Sequence, residues 1–187
     1  MTAGGAVSAA ALGGAAIGGL GLASAHTAPS REQDLRILTF LLGLQRIERA
    51  FYAAARSAGN LQGDLAEYLD LAASQEHDHV ELLERTLGVR PVEPRLHFKV
   101  GNAFSSAATF IAKAVALEDT VVAAINGQVT NLTPERLPVA FGLVSVEARH
   151  AAWIRDIGHE PEGAPTTDAP MDPDAVRNLL RREGLLT

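Results

Sequence analysis

The feature that most constrains the fold of this chain is a Glu-x-x-His pair that occurs twice, each time within an apolar helical stripe. Glu147 and His150 share a helical face with apolar residues rather than lying opposite them, and Glu76 and His79 do the same in an earlier segment. A buried carboxylate without a partner is costly, so it protonates, pairs with a charge or coordinates a metal. The two pairs therefore predict two helices that point ionisable groups at a core.

The pair of Glu147 and His150 also has a plain structural explanation when it is taken alone. Glu147 could pair with Arg149, and His150 could be a hydrogen-bonded core histidine. Chance, however, supplies fewer than one such pair in a chain with 13 Glu and 6 His, whereas two occur on apolar faces. Because Glu and His three residues apart share one side of a helix, they can offer oxygen and nitrogen ligands to one ion. The repeated pair therefore favours a metal site.

Apolar periodicity and capping signals predict four long helices and a short one. The long helices are predicted at residues 31–57, 64–87, 103–129 and 133–158. Thr133 is expected to cap the fourth, with Pro134 in its first turn. Asp172 is expected to cap a short helix at 173–182. Residues 88–101 show no helical period, and their extended length of roughly 45 Å would let them run the length of a helix. The expected fold is all-α, with one long crossover between two helical hairpins.

Three regions follow from this pattern. They are an export-signal-like segment with a linker at 1–30, the helical bundle at 31–160, and a Pro-rich tail with the short helix at 161–187. The first region is uncharged and rich in Ala and Gly from Ala3, and it ends in Ala23-Ser24-Ala25, a small-x-small pattern typical of signal peptidase cleavage. Its mild hydrophobicity is similar to that of a twin-arginine signal whose basic start is missing. We expect an extracytoplasmic protein, or a cytoplasmic one with a low-complexity tail if the signal does not function.

Composition limits the chemistry that is open to the chain. Its net charge is -6 and its Lys and Arg residues are dispersed, so no nucleic-acid footprint is evident. Cys is absent, which excludes disulfides, iron–sulfur clusters and thiolate zinc sites. A metal site in this chain would therefore use oxygen and nitrogen ligands.

The first and third predicted helices also place a carboxylate on their apolar side. On the first helix Glu48 lies there beside Gln45 and Tyr52. On the third helix Glu118 is the one charged residue in the line of apolar residues. One Glu from each of two helices and a Glu-x-x-His from each of the other two is the ligand set of di-iron and di-manganese carboxylate bundles. The predicted ligands are Glu48, Glu76, His79, Glu118, Glu147 and His150.

Four stretches of the chain resemble the ferritin-like superfamily, most closely the ferritin-like family that includes the desiccation-related proteins. They are Glu48-Arg49-Ala50-Phe51-Tyr52, Glu76-His77-Asp78-His79, Leu117-Glu118-Asp119-Thr120, and the segment from Val146 to Ala152. The resemblance spans residues 35–158. It implies an antiparallel four-helix bundle with one long crossover and a two-metal site at its middle.

One position departs from the family pattern. Ferritin-like first helices usually carry the ligand Glu seven residues before a Tyr, and Gln45 stands at that place before Tyr52. Glu48 lies one turn further on the same face, so it is the predicted ligand. Gln45 is then either an alternative position, at which the site is weakened, or an outer hydrogen-bond partner. Tyr52 is expected to hydrogen-bond a ligand carboxylate or to fill the core.

Three functions remain open from the sequence. The resemblance implies foremost a ferroxidase-type oxidoreductase that binds two irons and oxidises Fe(II) with dioxygen or peroxide, with Glu76 and Glu147 bridging the metals. A structural or stress-associated bundle with a degenerate metal site is the first alternative. A dimanganese catalase-like enzyme is the second, because carboxylate and imidazole accept both metals. Association into a homo-oligomer through helix faces is compatible with all three.

Overall fold

The computed structural model of the protein describes residues 28–88, 103–160 and 165–186. Within these ranges the chain forms five α-helices, a 3-10 turn at Val129–Asn131 and no strand. The helices are α1 (Arg31–Ala58), α2 (Asp64–Leu87), α3 (Ala107–Gln128), α4 (Leu137–Ile157) and α5 (Pro173–Arg182). The all-α prediction is confirmed. The predicted export signal and almost all of the crossover lie outside the described residues.

The four long helices pack as two hairpins. α1 packs along α2 and α3 along α4, while α2 also contacts α4 and α1 also contacts α3. Local signals set the helix ends: the Ser30 side chain accepts a hydrogen bond from the Gln33 amide at the start of α1, and Gly59 ends that helix with a φ of 66°. Gly88 ends α2 with a φ of 68°. Each helix thus turns its apolar stripe, with the polar members of that stripe, toward one shared core.

Two predicted helix starts are wrong by a few residues. α3 begins at Ala107 because Ser106 and Thr109 form a reciprocal capping box. α4 begins at Leu137 instead of following a Thr133 cap. The reason is a contact distant in sequence: the amide and hydroxyl of Thr133 donate to the buried carboxylate of Asp34 on α1, at 2.9 and 2.7 Å. Thr133 therefore ties the α3–α4 connection to α1 instead of capping its own helix.

The C-terminal segment lies against the outer side of α3. The Met171 amide donates to the Ala123 carbonyl at 2.9 Å, and the Lys113 ammonium lies 2.8 Å from the Glu183 carboxylate. Val176 and Leu180 of α5 are buried. α3 is thus covered by the bundle on one side and by the C-terminal segment on the other, which explains why it is apolar on both sides. Of the described helices, none is long and apolar enough to span a membrane.

Gly127 permits the close approach of this segment, which gives a stability prediction. A Cβ at Gly127 would lie 2.1 Å from the Met171 carbonyl oxygen, a backbone atom that cannot rotate away. We expect Gly127→Ala to lower the free energy of unfolding by about 1–3 kcal/mol through overpacking. Gly43→Ala is the matched control, because a Cβ there meets nothing within 4 Å, and it should raise the free energy by about 0.5–1 kcal/mol. Urea unfolding of both variants checks this, and equal effects would contradict it.

Candidate metal centre

Four carboxylates from four helices meet in the middle of the bundle. Glu48 of α1, Glu76 of α2, Glu118 of α3 and Glu147 of α4 are each 0% exposed. His79 and His150 accompany them, at 8% and 2% exposed. Glu and Asp are almost never fully buried unless they are paired, so four such residues together are unusual for a structural core. The structure brings together all six residues that the sequence identified as candidate ligands.

Both histidines turn the same ring nitrogen toward the carboxylates. Nδ1 of His79 lies 3.0 Å from Oε1 of Glu147 and 3.4 Å from Oε2 of Glu76. Nδ1 of His150 lies 3.3 Å from Oε1 of Glu76, 3.5 Å from Oε2 of Glu147 and 3.7 Å from Oε2 of Glu118. Glu76 and Glu147 therefore each contact both histidines and occupy the centre of the cluster.

The ligand atoms fall into two overlapping groups. The atoms of Glu76, His79 and Glu147 lie within 4.8 Å of one another, and so do those of Glu118, Glu147 and His150. Glu147 belongs to both. Among the residues that the structure describes, Glu48 belongs to neither group of three, although its carboxyl is close enough to Glu147, Glu76 and Glu118 to be repelled by them. The geometry thus provides two adjacent sets of ligands that share one carboxylate.

Unpaired atoms indicate what this cluster fits. Each of the six candidate ligands has at least one buried nitrogen or oxygen atom that makes no hydrogen bond to the described residues. Among them, the Nδ1 atoms of His79 and His150 lie 3.0–3.7 Å from carboxylate oxygens of Glu76, Glu118 and Glu147. A buried acceptor left unsatisfied costs about 1–3 kcal/mol, and converging carboxylate oxygens and imidazole nitrogens are suitable ligands for iron, manganese or zinc. The residues present therefore fit a metal centre.

The ionisation of these groups also favours added positive charge. Burial alone would lower the pKa of His150, but the facing carboxylates of Glu118, Glu147 and Glu76 raise it to about 12. Burial would also lower the pKa of His79, but the facing carboxylates of Glu147 and Glu76 raise it to about 9. Burial raises the pKa of Glu48 well above its ordinary value, and the neighbouring carboxylates add to this effect. The carboxylates therefore favour the protonated imidazoles, and a metal ion at Nδ1 of either histidine would have to displace a proton there.

Gln45 lies against two of these carboxylates. Its side-chain nitrogen is 2.7 Å from Oε2 of Glu48 and 2.8 Å from Oε1 of Glu147, and the side chain is 1% exposed. The amide therefore donates to both acids and joins α1 to α4. This geometry agrees with the outer-partner interpretation of Gln45, in which the amide orients the carboxylates of neighbouring ligands.

Two tyrosines hold Glu118 in place. The hydroxyl groups of Tyr52 and Tyr68 both donate to Oε1 of Glu118, the latter at 3.0 Å, and they lie 2.7 Å from each other. Burial, followed by the Glu118 charge, raises the pKa of both tyrosines well above the usual value. Of the two roles considered for Tyr52, the structure thus shows the hydrogen bond to a candidate ligand carboxylate. Tyr68 was missed, although its place eight residues before Glu76 on the α2 stripe is a signal that could have identified it.

Gln75 is the second residue that sequence reasoning missed. Its Oε1 lies 2.7 Å from Nε2 of His150, on the side of the ring away from the carboxylates. This contact joins residues 75 positions apart, on α2 and α4. Gln75 precedes Glu76 by one residue and lies beside the apolar stripe, so no local pattern distinguishes it from an ordinary half-buried polar residue.

The remaining candidates lie away from the cluster. His77 and Asp78 are exposed, and His77 lies 3.3 Å from Glu81 on the outside of α2. Arg149 is also exposed, whereas the Glu147 carboxylate faces inward to Gln45, His79 and His150. Trp153 is half-buried, with its ring 5.4 Å from that of Tyr68. His159 is exposed beyond the end of α4, and His97 lies outside the described residues.

Comparison with known proteins identifies a family for this chain. The sequence model of one family, described as a ferritin-like domain, matches residues 33–160, about two thirds of the chain. That match runs from the first turn of α1 to the residues just after α4. It therefore includes all six candidate ligands. No curated protein sequence matches the chain significantly.

Proposed function

This chain belongs to the ferritin-like family, and from that premise we propose that its buried cluster binds two divalent metal ions and oxidises ferrous iron. The observation that carries the proposal is the pair of ligand groups that share Glu147. Glu76 and Glu147 would bridge the two ions, and His79 and His150 would each hold one. Glu118 and Glu48 would complete the two ends.

Charge balance supports two divalent ions rather than one. The four carboxylates of Glu48, Glu76, Glu118 and Glu147 carry four negative charges when ionised, and two divalent cations carry four positive charges. Two histidines add nitrogen ligands without adding charge once their protons have left. Two divalent metal ions held by these four carboxylates leave the site with no net charge. The site excludes water, and an uncompensated charge in such a place is very costly.

Two ferrous ions held side by side supply the two electrons that convert dioxygen and two protons to hydrogen peroxide, or hydrogen peroxide and two protons to two waters. The side chains described above would hold the ions and exclude bulk water. A histidine nitrogen that binds an ion must first lose its proton, so binding would release protons from His79 and His150. Manganese would use the same ligands, so a peroxide-disproportionating enzyme is the matched alternative.

One observation favours a second candidate function. Glu48 lies in neither close ligand group and Gln45 is neutral, so the side of the site that α1 supplies is its least complete part. A bundle that has kept its buried acids but lost metal chemistry would have this appearance. Such a protein would serve a structural or stress-associated role, without metal-dependent turnover.

An anaerobic titration followed by rapid mixing tests the proposal. We expect the metal-free protein to bind two ferrous ions per chain and then to oxidise them, on mixing with dioxygen or peroxide, faster than buffered ferrous iron alone. Glu67→Gln, which removes an exposed acid of α2, is the matched control and should behave as the wild type does. Absence of bound iron and manganese would leave the structural bundle as the function. Binding of two manganese ions with oxygen evolution from peroxide, and no ferrous oxidation, would favour the catalase-like enzyme.

A further inference from the structure

The two ligand groups differ in how firmly the surrounding protein holds them. The geometry points to two unequal metal positions, of which the position at His150 and Glu118 fills first and the position at His79 fills second and exchanges more readily. This inference rests on the proposed function, because it requires the cluster to bind two cations. The difference lies in the side chains that surround the ligands and are not ligands themselves.

His150 is fixed before any ion arrives. Its Nε2–H donates to Oε1 of Gln75 at 2.7 Å, which leaves Nδ1 directed at the carboxylates. A hydrogen bond to the outer nitrogen of a ligand histidine sets both its tautomer and its ring orientation. Because Gln75 adjoins Glu76 on α2, one turn of that helix supplies a bridging acid and also positions the histidine of α4.

Glu118 is fixed in the same way. Tyr52 and Tyr68 both donate to Oε1, and Oε2 is the oxygen without a hydrogen-bond partner. That free oxygen lies 3.7 Å from Nδ1 of His150. One oxygen is thus held by the protein, while the other faces the histidine with which it would share an ion. Few degrees of freedom remain to be lost when a cation binds at this position.

Within the described part of the chain, the His79 ring lacks the outer hydrogen bond that His150 has, although Gln45 holds the Glu147 oxygen that faces it. Its Nδ1 faces Glu147 and Glu76, but among the described residues none hydrogen-bonds its outer nitrogen. Its side chain is also 10% exposed, against 2% for that of His150. Of the six candidate ligands, His79 is therefore the one most exposed to solvent. An ion held there must order its histidine as it binds.

These differences predict a difference in affinity. Immobilising a side chain on binding costs about 0.5–1.5 kcal/mol, and loss of an outer partner of a ligand typically lowers metal affinity 10–100-fold. Three outer hydrogen bonds hold ligands that belong to the His150 position alone: two from tyrosines to Glu118 and one from His150 to Gln75. At the His79 position Gln45 holds Glu48 and the shared Glu147, but among the described residues no outer partner holds the histidine itself. The first ion should therefore bind roughly 10–100-fold more tightly than the second.

Cobalt(II) alone is a suitable probe, because it fills carboxylate–imidazole sites without consuming oxidant and its visible absorption reports coordination. We expect calorimetric titration of the wild type to resolve one tight and one weak ion. His79→Ala should lose the weakly bound ion and keep the tightly bound one, whereas His150→Ala should lose the tightly bound ion. We call the two kinds of binding the weak class and the tight class. His77→Ala, an exposed histidine of α2, is the matched control and should leave both classes unchanged.

Gln75 supplies the test of positioning. Gln75→Leu should weaken the tight class about 10–100-fold and change its cobalt spectrum, while the weak class stays as in the wild type. Gln75→Glu retains an acceptor for Nε2 of His150 and should therefore keep tight binding. A side chain that only filled space would not need an acceptor at this position. Circular dichroism melting of each variant separates misfolding from loss of binding, and Gln75→Glu keeps the test decisive if Gln75→Leu does not fold.

Two results would overturn the inference while leaving the proposed function intact. One is binding of two cobalt ions with a single affinity that His79→Ala and His150→Ala reduce equally. The other is a folded Gln75→Leu variant whose tight class is unchanged. Absence of bound cobalt from the wild type would instead refute the proposed two-metal function, and the inference with it.

Discussion

Replacing Glu147 with glutamine is expected to weaken both metal positions together, by at least about 100-fold, the upper end of the range for loss of an outer partner alone. The reason is that Glu147 belongs to both ligand groups and faces both histidines. Glutamine keeps the volume of the side chain, so a packing defect is not the expected cause. Calorimetric titration of metal-free protein with manganese measures the effect.

Glu118→Gln is the matched comparison, because Glu118 belongs only to the group that contains His150. It should weaken one position and leave the other close to its wild-type affinity. The shared role of Glu147 would be contradicted if Glu147→Gln also left one position unchanged. Glu67→Gln on the surface of α2 again controls for a general loss of negative charge.

The second large effect is expected at Glu48. If Glu48 is the ligand from α1, Glu48→Ala removes one of four charges that balance two divalent cations, and it should lower metal affinity or ferrous oxidation at least about 10–100-fold. Gln45→Glu should then give no gain, because it would replace two donated hydrogen bonds with like-charge contacts to Glu48 and Glu147. Metal stoichiometry and the ferrous oxidation rate of both variants check this.

The opposite pattern identifies a site weakened at position 45. In that case Gln45→Glu restores the carboxylate usual in the family, and it raises metal occupancy and ferrous oxidation. Glu48→Ala would then mainly alter packing. Two ions bound by Glu48→Ala as tightly as by the wild type would contradict the assignment of Glu48 as a ligand.

Helical periodicity explains why the site could be predicted from the sequence. An α-helix repeats every 3.6 residues, so a carboxylate within an apolar stripe must face the core wherever the helix packs. Glu76, His79, Glu118, Glu147 and His150 follow this rule. The rule needs no knowledge of which helices are neighbours, because each stripe is buried against some other element. The stripes thus predict that each group is buried, while the ligand set of carboxylate bundles and the resemblance to the ferritin-like superfamily predict that the groups meet in one cluster.

The residues that were missed depend on contacts between helices. Gln75 acts on His150 of another helix, and Thr133 contacts Asp34, 99 residues away, instead of capping its own helix. Such contacts follow from the relative rotation and height of packed helices, which periodicity alone does not fix. Tyr68 is intermediate, because its stripe position predicts burial but not the hydrogen bond of its hydroxyl to Glu118.

The central claim is that these buried acids and histidines hold two metal ions side by side. Crystals of the protein soaked with manganese, with anomalous data collected at a wavelength that identifies this metal, test it most directly. We expect two anomalous peaks about 3.5–4 Å apart, bridged by Glu76 and Glu147, with Nδ1 of His79 on one ion and Nδ1 of His150 on the other. A map without peaks between these side chains at a saturating metal concentration, or with peaks only at surface carboxylates, would contradict the account.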